Sequence, residues 1–170
     1  IASTDRAVGA TLAGKLAAKR LSAPPAGFRI EFEGYAGQAF GFACVASMTL
    51  SLPGFANDKV AEAMSGGSVV VRLPREIAAE QRGALSAVGN AAAYGATGGT
   101  LFVEGRAGQR LGVRNSGASI VVEGAGKYAF EYMTGGVGVV LGPVGPVVAS
   151  GMTGGVVFAT LLDGLSHEDI

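Results

Sequence analysis

Apolar positions in this chain fall in short Val-rich runs. Each run is entered through a small polar residue and a Gly-Gly or Gly-Ala pair, and left through another Gly. Five segments carry the pattern: Ser65-Gly66-Gly67-Ser-Val-Val-Val, Thr97-Gly98-Gly99-Thr-Leu-Phe-Val, Ser116-Gly117-Ala118-Ser-Ile-Val-Val, Thr134-Gly135-Gly136-Val-Gly-Val-Val and Thr153-Gly154-Gly155-Val-Val-Phe. Their first glycines stand at 66, 98, 117, 135 and 154, at intervals of 32, 19, 18 and 19 residues. Gly105, Gly124 and Gly142 mark the exits, and Gly34-Tyr-Ala-Gly37 precedes Gly54-Phe-Ala-Asn57 by 20 residues. A period near 19 therefore runs through most of the chain.

A unit of that size holds two or three short strands and their bends, and cannot bury an apolar face alone. Stacking successive units buries it, with backbone hydrogen bonds running from coil to coil. Glycine at the corners supplies tight bends without a Cβ, and Val/Ile/Leu runs suit strands on the inside of the coil. The pattern predicts an all-β fold: a right-handed parallel β-helix of about seven coils over residues 26–162. Its stacked strands include Val69–Leu73, Leu101–Val103, Ile120–Glu123, Val137–Leu141 and Val156–Ala159. Gly98, Gly117, Gly135 and Gly154 are expected at one edge, some with positive φ. Asn57, Asn90 and Asn115 fall near corners, where Asn bonds neighbouring backbone.

Two segments lie outside the repeat. Arg6–Leu21 predicts a helix, with Thr4 or Asp5 as N-cap, Val8, Leu12 and Leu16 every four residues, and Lys15, Lys19 and Arg20 near its end. Residues 1–25 thus form a helix and linker ahead of the solenoid. Arg75–Ala87 carries four charges and accounts for the thirteen residues by which the 32-residue interval exceeds its neighbours. It predicts an excursion from one coil, with a short helix. Residues 163–170 are a tail.

Composition narrows the chemistry. Of 170 residues 29 are Gly, 49% are hydrophobic and 15% charged, and 13 Lys+Arg balance 13 Asp+Glu. The apolar fraction excludes a disordered chain, and zero net charge gives no general attraction for nucleic acid. One Cys (Cys44), one His (His167) and no Trp leave little with which to build disulfides, metal sites or nucleophile–base pairs. Tyr132–Leu162 lacks charge over a length that could span a bilayer, but its eight Gly and two Pro would badly weaken an isolated helix. No basic region followed by an apolar run suggests a signal peptide, and the expected compartment is the cytoplasm.

Several ordered blocks carry a resemblance. Gly34-Tyr-Ala-Gly37-Gln38-Ala-Phe40-Gly41, Ala56-Asn57-Asp58-Lys-Val60, Met64-Ser65-Gly66-Gly67 and Gly89-Asn90 come first. Tyr94-Gly95-Ala96-Thr97-Gly98-Gly99, Gly105-Arg-Ala-Gly108, Val113-Arg114-Asn115-Ser116-Gly117-Ala118 and Val122-Glu123-Gly124 follow. Glu131-Tyr132-Met133-Thr134-Gly135-Gly136 and Ser150-Gly151-Met152-Thr153-Gly154-Gly155 complete the series. Together they resemble the GXGXG domain, the C-terminal β-helix of the glutamate synthase large subunit, over nearly the whole chain. Thr4-Asp5-Arg6-Ala-Val8-Gly9 is similar to the segment preceding that domain. Cys44-Val-Ala-Ser-Met and Pro143-Val-Gly145-Pro146 depart from the pattern. Related β-helix subunits occur in N-methylglutamate synthase and formylmethanofuran dehydrogenase, but the Thr-Asp-Arg segment favours the glutamate synthase branch.

The resemblance implies a structural domain or subunit that holds the amidotransferase and FMN domains in relation to each other. It carries over no catalytic, cofactor-binding or metal-ligating residue, and the chain by itself is expected to bind no cofactor. Gly124-Ala-Gly126-Lys127-Tyr128-Ala129 matches a loose dinucleotide or phosphate-loop pattern, but a return to the repeat follows it rather than a helix. Cys44 reads as a small buried hydrophobe rather than as a nucleophile served by His167. Glu104 and Glu123 should stack one coil apart as corner residues bonded to Arg106 or Arg114. Asn57-Asp58, Tyr94 and Arg114-Asn115 are expected in corner ladders or partner contacts. The competing reading, a solenoid enzyme with a surface groove, would need acidic clusters and aromatic platforms that this composition supplies poorly. The expected partners are catalytic domains or subunits of a glutamate-synthase-like enzyme, met by an apolar face or by the Arg75–Ala87 excursion. Neither nucleic acid nor membrane is expected, and self-association is left open.

Overall fold

A computed structural model describes residues 1–160. Nine strands form one parallel sheet: β1 (Phe28–Glu31), β2 (Gly34–Ala36), β3 (Met48–Ala56), β4 (Ser65–Arg72), β5 (Ser86–Val88), β6 (Gly98–Ala107), β7 (Ser116–Ala125), β8 (Thr134–Val140) and β9 (Gly154–Ala159). The order is β1-β3-β4-β6-β7-β8-β9, with β2 also on β3, and β5 between β3 and β6. Its register follows the glycine spacing. Leu50, Val69, Leu101, Ile120, Gly138 and Val157 make one inward ladder, and Leu52, Val71, Val103, Val122, Val140 and Ala159 the next. These are the stacked strands of the predicted β-solenoid. The stretch from Tyr132 contributes β8 and β9, and no helix among the described residues is long and apolar enough to cross a membrane.

The other side of each coil is not a strand. Three residues at i, i+2 and i+4 take left-handed backbone: Ala39, Gly41 and Ala43 in one coil, Lys59, Ala61 and Ala63 in the next, then Ala91, Ala93 and Gly95. Arg110, Gly112 and Arg114, Tyr128, Phe130 and Tyr132, and Val147, Ala149 and Gly151 continue the series. The N–H groups of these left-handed residues point alternately to the two neighbouring coils. Arg110 donates forward to Lys127 O, Gly112 back to Ala92 O and Arg114 forward to Glu131 O, each at 2.8 Å. Adjacent coils are thus bonded on this side too, by a ladder that is not β. The residue between the first two left-handed positions points inward: Phe40, Val60, Ala92, Leu111 and Ala129 are all buried in the core cluster with the strand ladders.

The corner glycines divide two tasks. Gly98, Gly117, Gly135 and Gly154 line one edge, but each lies against the residue before the preceding coil's glycine (Ser65, Thr97, Ser116 and Thr134), and positive φ falls on the residue after, at Gly99, Gly136 and Gly155. The first glycine is needed for close approach instead. A Cβ on Gly135 would strike Ser116 O, and one on Gly154 would strike Thr134 O.

The N-terminal helix α1 is shorter than the expected Arg6–Leu21, covering Ala10–Ala17. Ala7 (φ 50°) and Gly9 (φ 94°) are left-handed, and they begin the coil ladder: Ala7 N–H donates to Gln38 O, and Val8 O accepts from Gly41 N–H. Helix geometry cannot start until that rung is complete. Neither Thr4 nor Asp5 caps α1, and the Asp5 carboxylate instead accepts from Ala2 N–H at 2.8 Å. Ala13 is buried, and Val8, Leu12 and Leu16 pack on the core. In the charged excursion α2 (Ala79–Arg82) forms, and Ser86–Val88 rejoins the ladder as β5. Arg82 pins the segment by donating to Ile77 O at 3.1 Å and Pro74 O at 2.8 Å while pairing with Glu104.

Candidate functional site

Most polar residues singled out in the sequence serve the coil. Asp58 Oδ1 accepts from Asn90 N–H at 2.7 Å, and Asn90 Oδ1 accepts from Gln109 N–H at 2.9 Å, a side-chain ladder along one corner. Asn57 Oδ1 accepts from Asp58 N–H. Asn115 is fully buried. Its Oδ1 accepts from Gly117 and Ala118 N–H, and its Nδ2 donates to Ala118 O at 3.0 Å. That bracket holds an entry turn in which Ala118 stands where β4, β6, β8 and β9 have a second glycine.

The two carboxylates expected to stack do sit in consecutive coils, with partners other than Arg106 and Arg114. Glu104 pairs with Arg82 of the excursion, while Glu123 Oε2 accepts from Gly105 N–H at 2.8 Å. Both anchor backbone or a packed segment. The Gly124-Ala-Gly126-Lys127 stretch ends β7 and passes into a left-handed run with no helix behind it. Cys44 is buried, and desolvation pushes its thiol up to about 11, far from nucleophilic ionisation near neutral pH. His167 lies outside the described residues. Among those described, no group of three His, Cys, Asp or Glu could hold a metal.

The outward face of the sheet is a candidate surface. Its central ladder runs Ser51, Val70, Phe102, Val121, Val139 and Phe158, and a flanking ladder runs Thr49, Ser68, Thr100, Ser119, Val137 and Val156. Polar residues hold the N-terminal coils, whereas the C-terminal coils expose Phe102, Val137, Leu141 (63%), Val156 and Phe158 (60%). From β1 to Leu141 this face hollows into a groove of about 840 Å³, lined by Phe102 and Val121 and by the charged Arg29, Glu31, Arg72, Glu104 and Glu123. The Val-rich runs carry the sequence signal for the apolar face expected to meet a partner. Runs apolar at every position, without alternation, belong to strands covered on both faces.

A family model described as the GXGXG motif matches residues 1–168. The chain is similar to the ferredoxin-dependent glutamate synthase of Cyanidium caldarium, 48% identical over 122 residues that make up 69% of this chain and 8% of that protein. It is also similar to glutamate synthase [NADH] of Saccharomyces cerevisiae, 43% identical over 120 residues, 69% of this chain and 6% of that one. The glutamate synthase [NADPH] large chain of Azospirillum brasilense is 43% identical over 118 residues, 68% of this chain and 8% of its own length. The match therefore spans less than a tenth of the length of these relatives. The coils described above lie within the residues 1–168 that the family model matches. This chain belongs to the GXGXG family, as a domain of the glutamate synthase type.

Proposed function

We propose that the chain is a non-catalytic scaffold in a glutamate-synthase-like enzyme of the cytoplasm, holding the amidotransferase and FMN domains or subunits together. The observation that carries this is the outward ladder Phe102–Val121–Val139–Phe158. A contiguous, exposed apolar sheet face is unusual on a monomeric protein and marks an interface. The polar side chains that could have offered chemistry support the reading from the other side. Asn115, Asp58, Asn90, Glu104 and Glu123 spend their hydrogen bonds on the coil, so the surface is built for contact rather than turnover.

The test is co-expression with a polypeptide carrying the amidotransferase and FMN parts of a glutamate synthase from the same genome. A stable stoichiometric complex by light scattering is expected, weakened roughly tenfold or more by Phe102→Ser with Phe158→Ser. Glutaminase activity or stoichiometric flavin in the isolated chain would overturn the reading.

A further inference from the structure

A second surface, on the left-handed side of the coils, has different chemistry. Arg110 and Tyr128 occupy the same place in consecutive coils, as do Arg114 and Tyr132. Each guanidinium lies over the tyrosine of the next coil, Arg110 at 5.6 Å and Arg114 at 5.9 Å from the ring centre. Both arginines are exposed, as is Lys127 beside them, and Glu131 is the carboxylate in the same two coils of this run. Among the described residues the ion pairs are Lys59–Glu62 and Arg82–Glu104, and neither arginine has a carboxylate partner there.

The placement is unusual for the side chains involved. In the other coils the place of Arg114 and Tyr132 is held by Ala43, Ala63, Gly95 and Gly151, the small residues that a left-handed backbone favours. Arg114 and Tyr132 are instead large and exposed, so neither fills the core. Their backbone is fixed: Arg110 N–H donates to Lys127 O and Arg114 N–H to Glu131 O. Stacking on tyrosine fixes the heads as well, so little freedom is lost when they bind. A planar fork held in that way matches a carboxylate.

We infer that the Arg110–Tyr128 and Arg114–Tyr132 ladders form a docking surface for an acidic, Asp/Glu-bearing segment of the catalytic partner. This rests on the scaffold reading, and it supplies what a clamp between two bodies requires: a second face, chemically unlike the apolar sheet. Nucleic acid fits less well. Arg114 already lies over the ring of Tyr132, as Arg110 does over Tyr128, which takes up ring surface that a base would need to stack upon.

The experiment measures affinity of the co-purified complex from about 50 to about 500 mM NaCl for the unaltered chain, Arg110→Glu/Arg114→Glu, and Phe102→Ser/Phe158→Ser. The expected result is salt-weakened binding by the unaltered chain. The arginine reversal should lose about tenfold or more at low salt and most of the salt dependence. The sheet-face variant should lose affinity but keep its salt dependence. Arg110→Gln/Arg114→Gln serves should the reversal unfold. A complex that forms with no salt dependence, or that is unmoved by either arginine pair in a folded chain, overturns this inference and leaves the scaffold reading intact. Failure of the unaltered chain to associate at any salt overturns both. Selective binding of a single-stranded oligonucleotide, in place of the protein partner, would also overturn it.

Discussion

At the scale of single residues the coil works by exchanging volume between neighbours. Phe130 stands where other coils place Gly41, Ala61, Ala93 or Gly112, and its ring is fully buried. Room for it comes from Gly138, where a Cβ would lie 2.5 Å from the ring, and from Gly112, where it would lie 2.7 Å away. Gly138 interrupts an inward ladder otherwise made of Leu, Ile and Val, and this is why. Gly138→Ala is expected to cost about 1–3 kcal/mol, and Phe130→Leu about 1–2 kcal/mol on its own. In the double variant the two costs should fall short of their sum by at least about 0.5 kcal/mol in urea melts, whereas additivity would refute the exchange. Cys44 gives a pH prediction. Burial raises its folded pKa to about 11, above the roughly 8.5 of an exposed thiol, so the unfolded chain loses this proton first. Stability from this group is whole below about pH 8.5 and falls as pH rises toward 11. Melting temperature should therefore decline over that range, and Cys44→Ala should flatten the decline. A native thiol that reacts with Ellman's reagent at pH 7 as fast as the unfolded chain would contradict its burial.

At the scale of elements, what could be read in the sequence depends on how each segment satisfies its backbone. The strands were legible because inward apolar pairs recur at the coil period, and Leu101, Ile120 and Val157 fall into register from spacing alone. The left-handed runs were not. Their places accept Ala, Lys, Arg, Tyr, Phe and Val as well as Gly, so no residue type announces them. What selects the conformation is the neighbouring coil, whose carbonyls accept the alternating N–H groups. Each left-handed residue costs about 1–2 kcal/mol and each bond returns about 1 kcal/mol. Such a run closes only where stacked strands and buried residues such as Phe40 and Leu111 already hold the coils together. Helix α1 shows the same competition. The Val8-Leu12-Leu16 spacing did mark a helix, but Ala7 and Gly9 were claimed by the first rung. For the candidate surfaces the position of Phe102 and Phe158 followed from register, whereas the Arg–Tyr stacks needed the left-handed geometry and stayed hidden.

At the scale of the whole molecule, nearly every strong contact joins a coil to the next: β6 to β7, β7 to β8, β8 to β9. Such a chain behaves as a one-dimensional array, in which stability is a sum of coil terms and interface terms. Its two ends are unlike. At the N-terminal end residues 1–9 lay down a partial rung, with Ile1 O accepting from Tyr35 N–H and Asp5 O from Gly37 N–H, and α1 packs on the core. At the other, the inward residues Val157 and Ala159 of β9 are only partly buried among the described residues. Protection of backbone amides against hydrogen exchange should therefore be graded, highest from β3 to β6 and lowest at β9. A central defect sharpens the test. A Cβ on Gly117 would strike Thr97 O, a backbone atom that cannot step aside, so Gly117→Val should destabilise the chain by about 1–3 kcal/mol. In an array the loss is local: amides of β7 and its neighbours β6 and β8 should exchange faster, while those of β3 and β4 hold most of their protection. A uniform fall in protection from β3 to β9 would mean that the coils unfold as one unit. The array description would then be wrong, even though the ladder of contacts is periodic.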